Sequence, residues 1–150
     1  MAYSAAYEVT IKAPQAKVFD YVADVSRHGE WGSEADHMKA SAEKPGTPAV
    51  GAKYKAEGVL NGKVNPSLVT ITELQAPQRL AFDAEDANSI FHHEFVFSPS
   101  NGGTKVERLV TMPKGPFYFP IVLSVLFKGV VQKNYNGAMQ NLKAKLESGA

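Results

Sequence analysis

The sequence predicts an α+β protein with the element order strand, two short helices, six strands, long helix. Three observations predict it. Residues 3 to 12 alternate apolar and polar side chains, two tight-turn signals punctuate the middle of the chain, and the apolar period turns helical after about Phe117. Antiparallel hairpins closed by a helix belong to the α+β class.

The first strand places Tyr3, Ala5, Tyr7, Val9 and Ile11 on one face and Ser4, Glu8, Thr10 and Lys12 on the other. That is the two-residue period of a half-buried strand. Pro14 then fixes φ where a first helical residue needs it. Val18, Phe19 and Val22 make the apolar stripe of a short helix, and a second helical turn follows from Asp24 to Trp31. Six strands are predicted between about residues 36 and 113. Asn61-Gly62 sits between Leu60 and Lys63, and Asn101-Gly102-Gly103 between Phe97 and Val106. Asn-Gly supplies the positive φ that tight hairpins require. Glu43 to Gly51, with Pro45, Gly46 and Pro48, reads as a loop before the strand carrying Tyr54. Pro77 breaks the chain before the strand of Leu80 and Phe82. Pro66 marks an edge or a bulge, because proline cannot donate to a ladder. From about Phe117 to Ser148, Ile121, Val125, Tyr135, Met139, Leu142 and Leu146 fall near one helical face, joined by Val122, Leu126 and Val130.

Residues 7 to 31 read Tyr-Glu-Val-Thr-Ile-Lys-Ala-Pro-Gln-Ala-Lys-Val-Phe-Asp-Tyr-Val-Ala-Asp-Val-Ser-Arg-His-Gly-Glu-Trp. This run resembles the opening signature of the START-like (SRPBCC) superfamily, which includes polyketide cyclase/dehydrase, lipid-transfer and Bet v 1-like proteins. The resemblance covers the whole chain in element order and mainly the first thirty residues in specific side chains. It implies a single domain over residues 1–150 with the helix-grip fold: a curved seven-stranded antiparallel sheet wrapped around the C-terminal helix. It also implies a cavity between the two that binds or transports a small hydrophobic molecule, such as a lipid, isoprenoid quinone or polyketide. Cyclase/dehydratase-type enzymes of the superfamily supply an alternative expectation.

Composition excludes several other classes. Sixteen Lys plus Arg against fifteen Asp plus Glu leave a net charge of +1, and no basic stripe marks a nucleic-acid partner. The absence of cysteine excludes thiolate metal sites, a cysteine nucleophile and covalent haem. Gly-x-Ser-x-Gly, Gly-x-Gly-x-x-Gly and Walker signatures are missing, so no cofactor is expected. No metal is expected either. His92 and His93, as adjacent strand residues, point to opposite faces, and His28 and His37 stand in different elements. The N-terminus lacks a cationic stretch followed by an apolar core, and no apolar run reaches the roughly 18 residues of a spanning helix. The expected location is the cytoplasm.

The candidate site follows from strand alternation. Phe91, Phe95 and Phe97 share a face with His93; Val106, Val110 and Met112 share one with Arg108. Leu80, Phe82 and Ala84 continue the pattern with Asp86 at its end, as do Tyr54, Ala56, Gly58 and Leu60. If these faces are concave, they enclose an apolar hollow with a few polar groups among aromatics, as ligand pockets do. Trp31, Tyr54, Phe82, Phe91, Phe95 and Met112 are then candidate walls, with His93 and Arg108 as polar anchors. Val125 and Gly129 line the hollow from the helix.

His93 has the near-neutral pKa of a proton-transfer or orienting group; a core histidine satisfied by a neighbour is the other reading. Arg108 at an apolar position must be paired, reach solvent, or bind an anionic or carbonyl group. Glu94 and Glu57 are its candidate pairs, and a one-residue register slip would turn it outward. His93 and Arg108 are thus the catalytic candidates on the enzyme reading, with Tyr54 a further carbonyl stabiliser. Trp31 is a lid residue or a wall of the mouth. Asp20 and Asp24 read as a solvated helix face and a cap.

Gly129 and Gly137 lie eight apart on one helix face, and each costs about 1 kcal/mol against alanine. A close approach of ligand or sheet, or a local kink, would account for them. Phe117 to Val131, with Leu123 and Phe127, is apolar nearly all round, more than a helix buried on one side needs. Lining the cavity, closing its mouth, a transient membrane contact and a homodimer are the uses open to it. The same face supports a third expectation, a protein-interaction or stress-response module.

Overall fold

The computed structural model describes residues 4–31, 39–43, 48–60, 63–87, 89–118, 121 and 128–149. Strand β1 (Ser4–Ile11) leads into helix α1 (Gln15–Ala23) and a 3-10 segment (Val25–Glu30). Strands β2 (Lys39–Ala42), β3 (Lys53–Leu60), β4 (Lys63–Gln75), β5 (Arg79–Glu85), β6 (Ile90–Ser100) and β7 (Gly103–Lys114) follow, and helix α2 (Lys128–Glu147) ends the chain. The seven strands form one antiparallel sheet in the order β1-β7-β6-β5-β4-β3-β2. Every strand pairs with its neighbour in sequence except β1, which crosses to the last strand.

The alternation of β1 carries through: Tyr7, Val9 and Ile11 are buried while Glu8 and Thr10 are exposed. Pro14 stands one residue outside α1, extended at ψ 144°, and its carbonyl accepts the Val18 N–H at 3.0 Å. The buried face of α1 is wider than its stripe, adding Tyr21 and Ala23. Phe19 meets Phe97 edge-on at 5.2 Å, fixing α1 against β6. Asp20 is exposed, and Asp24 accepts a hydrogen bond from the Ser26 hydroxyl.

Asn101 (φ 44°) and Gly102 (φ 79°) turn β6 into β7 between the paired Ser100 and Gly103, the two-residue hairpin with positive φ at both positions. The Asn61-Gly62 turn lies outside the described residues, but Leu60 pairs with Lys63 on either side of it. Pro66 faces Glu57 of β3, whereas the pairing of β4 with β5 begins only at Leu68 and Glu85. Its missing donor therefore falls on an edge-like stretch of β4. The bulge of that strand lies further on, between Ile71 and Glu73.

Helix α2 buries Ala138, Met139, Leu142 and Leu146 against the concave face, one stripe at helical spacing. Its last turn is tied to β1. Glu147 accepts from the Lys12 backbone N–H at 3.0 Å and from Lys143 at 2.6 Å, and Lys143 also reaches the Thr10 carbonyl at 2.9 Å. Val122, Leu123, Val125, Leu126 and Phe127 of the apolar run lie outside the described residues, as do the side chains of Val130 and Val131. Phe117, Tyr118 and Ile121 are exposed. Among the described residues, no helix is long and apolar enough to cross a membrane.

Two predictions follow from these joints. A Cβ on Gly103 would collide with the Ile11 carbonyl oxygen and crowd the Lys12 Cα, both backbone atoms that cannot swing aside. Gly103→Ala is therefore expected to open the end of the β1–β7 pair and cost about 1–3 kcal/mol, the usual penalty of overpacking, read from denaturant unfolding. The second concerns Tyr21, whose hydroxyl donates to Glu30 at 3.0 Å while Arg27 binds the same carboxylate at 2.9 Å and covers the ring at 4.6 Å. Burial, then the Glu30 carboxylate, push the Tyr21 phenol from 10.0 up to about 12. A raised acid binds its proton more tightly in the folded state, so its stabilisation is complete below pH 10.0 and lost as pH rises to about 12. The stability gap between the wild type and Tyr21→Phe should close across that window in thermal melts.

Candidate functional site

The strand register arranges the concave side chains in rows. Tyr7 of β1 lies opposite Arg108 of β7, Arg108 opposite Phe95 of β6, and Phe95 opposite Leu80 of β5. In the next row Val110, His93, Phe82 and Ile71 face one another in turn. A third row runs Phe91, Ala84, Val69 and Tyr54. Diagonal neighbours in adjacent rows are within reach of long side chains, and Arg108 meets His93 in this way.

Arg108 is only 1% exposed, and its Nη2 lies 3.0 Å from His93 Nδ1. A guanidinium has no acceptor and keeps its protons, so Arg108 donates and His93 Nδ1 accepts. That contact makes His93 the neutral tautomer with its proton on Nε2. The Arg108 Cζ lies 4.6 Å from the Tyr135 ring, 5.0 Å from Phe95 and 5.9 Å from Trp31, all within cation–π range.

The rings are themselves interlocked. His93 stacks on Phe82 at 4.8 Å and 16°. Trp31 meets Phe95 at 90° and lies 4.9 Å from the His28 ring, which in turn contacts Phe82. Tyr135 of α2 reaches Tyr7 at 5.2 Å and His93 at 6.2 Å. The Trp31 Nε1–H is buried and has no hydrogen-bond partner among the described residues.

The structure thus brings together Trp31, Phe82, His93, Phe95 and Arg108. Tyr54 is buried two rows away, its phenol pushed up first by burial and then by the charge of Asp24. Met112 is buried and Phe91 half-buried beyond them on the same face. Val125 lies outside the described residues. Gly129 and Gly137 are exposed, and a Cβ on either would meet no described atom within 4 Å. Among the described residues, then, no close approach accounts for these glycines. Asp86 closes a turn by accepting from the Ser89 backbone at 2.8 Å and its hydroxyl at 3.1 Å.

Of the alternatives open to Arg108, a pair with Glu94 or Glu57 needs correction. Glu94 adjoins Phe95 in the strand and so turns to the outer face, 3.7 Å from Arg79 and 3.2 Å from His92. Glu57 is exposed on β3. His92, on the face opposite His93, also lies 2.6 Å from Asp83. No group of three or more His, Asp or Glu among the described residues is placed to hold a metal ion.

Sequence reasoning passed over His28, Tyr7 and Tyr135 as members of this site. His28 is buried, with Nε2 2.7 Å from the Val22 carbonyl, and its signal was the helical i, i+3 spacing to Trp31. Tyr135 lay on the apolar stripe of its helix but gave no sign of which strand it would face.

The comparisons with known proteins agree with this architecture. The family model described as polyketide cyclase/dehydrase and lipid transport matches residues 3–147. TTHA0849 from Thermus thermophilus superposes with a TM-score of 0.77 at 19% identity, over 98% of this chain and 99% of that one. The ZhuI aromatase/cyclase from Streptomyces sp. R1128 gives 0.76 at 14% identity, over 98% and 94%. Ara h 8.0201 gives 0.72 at 16% identity, over 99% of both chains. No curated protein sequence matches the chain. At these identities the structural likeness is one of fold, the Bet v 1-like helix grip. The family match over nearly the whole length says more: this chain belongs to the polyketide cyclase/dehydrase and lipid transport family.

Proposed function

We propose that the protein binds a small, mostly apolar molecule between the sheet and α2, with Arg108 and His93 anchoring its polar end. A lipid, an isoprenoid quinone or a polyketide has this make-up. The observation that carries the reading is the pair itself. A buried guanidinium donates to a buried, neutral imidazole in the middle of an aromatic face, where a folded core has no need of a cation. Burying such a charge is costly, and a ligand oxygen is a natural partner for its donors. Trp31, Tyr54, Phe82 and Phe95 form apolar walls around it, in keeping with the make-up of ligand sites. The family description, which includes lipid transport, fits the same reading.

A second reading, cyclase-type catalysis, is favoured by one geometric detail. His93 Nδ1 lies 3.0 Å from the Arg108 guanidinium. On this reading Arg108 turns its donor to the oxygen of a carbonyl becoming an enolate, which releases His93 Nδ1 to take the proton from carbon and later return it to the product. The fold is also that of the ZhuI aromatase/cyclase and of StfQ, a di-domain aromatase/cyclase of the steffimycin pathway.

Native mass spectrometry of the purified protein, followed by organic extraction, tests the binding reading. A discrete apolar adduct is expected, with occupancy lost in Phe95→Ala. A clean apo mass with no uptake of fatty acids, quinones or polyketide mimics would remove it. His93→Ala separates the two readings. A carrier should lose no more than about tenfold in affinity, the worth of one hydrogen bond. A cyclase should still bind but lose turnover by about 10²–10⁴-fold, the usual contribution of a positioned acid or base.

A further inference from the structure

We infer that the chain just beyond β7 docks the protein on an anionic lipid bilayer. Phe117, Tyr118 and Ile121 enter the interface, and Lys114 lies beside them at the headgroups. The inference goes beyond the binding reading above and does not depend on it. β7 ends at Lys114, opposite Ile90 at the last rung of the ladder. Gly115 rests on Met112 and Ser89, where a Cβ would stand 2.7 Å from Met112 Sδ, and Pro116 has no donor to extend the ladder. The chain therefore leaves the sheet at a fixed point, and the next two side chains emerge into solvent. Phe117 is 90% exposed, Tyr118 49% and Ile121 53%. Phe117 meets Tyr118 edge-on at 5.6 Å, so the two rings form one surface. Exposed apolar residues standing singly are ordinary. Here three of the six large hydrophobics exposed among the described residues fall within residues 117–121.

Charge indicates what covers this patch. Residues 108–146 hold six of the sixteen Lys and Arg of the chain and none of its fifteen Asp and Glu. The remainder, ten bases against fifteen acids, is net negative. Of the six, Arg108 is buried, whereas Lys114, Lys133 and Lys145 are exposed. In sequence the apolar run is bracketed by Lys114 and Lys128. Of the acids at the neighbouring β5–β6 turn, Asp86 accepts from Ser89, and Glu85 stands across Ile90 from Lys114. An apolar patch with basic flanks fits acyl chains beneath anionic headgroups. Aromatic rings partition to that boundary, the tyrosine hydroxyl toward water, and lysine stems extend to the phosphates. A second copy of the chain fits less well. A two-fold contact sets a surface against itself, which would bring one basic patch onto another. Three apolar side chains also fall short of the ~800 Å² per partner of a stable interface.

The test is co-sedimentation of the full chain with vesicles of phosphatidylcholine alone and of phosphatidylcholine mixed equally with phosphatidylserine. Binding to the mixed vesicles should exceed binding to the neutral ones by about tenfold or more, as a few lysines near the surface provide, and should weaken as salt is raised. Phe117→Ser should lower binding to the mixed vesicles by about tenfold or more, the worth of one large apolar side chain. Lys114→Glu should lower it about tenfold and leave the weak binding to phosphatidylcholine unchanged. Both residues are exposed, so both variants should melt as the wild type does, which separates lost docking from a lost fold. Val64→Ser, an exposed apolar position on β4, should bind as the wild type does. Absence of binding to either vesicle, or binding that Phe117→Ser and Lys114→Glu leave intact, would overturn the inference. So would reversible dimerisation in sedimentation velocity that Phe117→Ser abolishes while vesicles go unbound, an outcome that assigns the patch to a second copy. The adduct sought by native mass spectrometry is measured without vesicles, so failure of the binding reading and failure of docking are told apart.

Discussion

The burial of one guanidinium organises this molecule. Arg108 comes from β7, and what surrounds it comes from far along the chain: Trp31 from the end of the 3-10 segment, Phe95 and His93 from β6, Tyr135 from α2. Removing a charge from water is expensive. Cation–π contacts return about 0.5–2 kcal/mol each, and the His93 acceptor adds a hydrogen bond. A lysine could not replace this arrangement, since a compact ammonium neither lies flat against rings nor spreads its donors in a fixed fork. The demand for several rings around one planar cation is a geometric condition on the helical segment, the sheet and α2 together.

The sheet also sorts charge by sign. Its outer face carries a chain of alternating partners, Glu73 to Arg79 to Glu94 to His92 to Asp83, with each gap between 2.6 and 3.7 Å. These side chains are about a quarter to two-fifths exposed, so each pair contributes on the order of 0–1 kcal/mol. They hold three carboxylates on the solvent side against one guanidinium and one imidazole. On the inner face the buried charge is that of Arg108, and no Asp or Glu is buried among the described residues. A net charge of +1 for the whole chain conceals that separation.

Much of this was legible in the sequence because strands announce their faces. Two-residue alternation placed Arg108 and His93 inward, and the observed register leaves both there. The Asn101-Gly102 turn was legible because only residues tolerant of positive φ close so short a hairpin. Of the alternatives open to Arg108, the pair with Glu94 could have been set aside from the sequence: Glu94 adjoins Phe95, so whatever turns Phe95 inward turns Glu94 out. His28 and Tyr135 were illegible for a different reason. Each sits on a helical stripe, and a stripe states that a residue is covered without stating by what. Which ring meets Arg108 depends on the angle at which α2 crosses the sheet, and no local pattern carries that angle.

Three shifted groups give the joints of the fold a pH response. At the joints, Lys143 and the Lys12 backbone N–H hold the Glu147 carboxyl below its ordinary value. Arg27, with Tyr21, does the same for Glu30. A depressed carboxyl stabilises above its unfolded pKa and loses that contribution as pH falls through the folded one. Acid therefore loosens the clasp between α2 and β1 and the corner between α1 and the 3-10 segment. Alkali acts on that same corner, where the Tyr21 phenol gives up its proton at about 12 and can no longer donate to Glu30. The corner is therefore weakened at both ends of the pH scale, whereas the clasp of α2 on β1 answers to acid through Glu147. The two joints are distinguished by which limb of a stability profile each one moves.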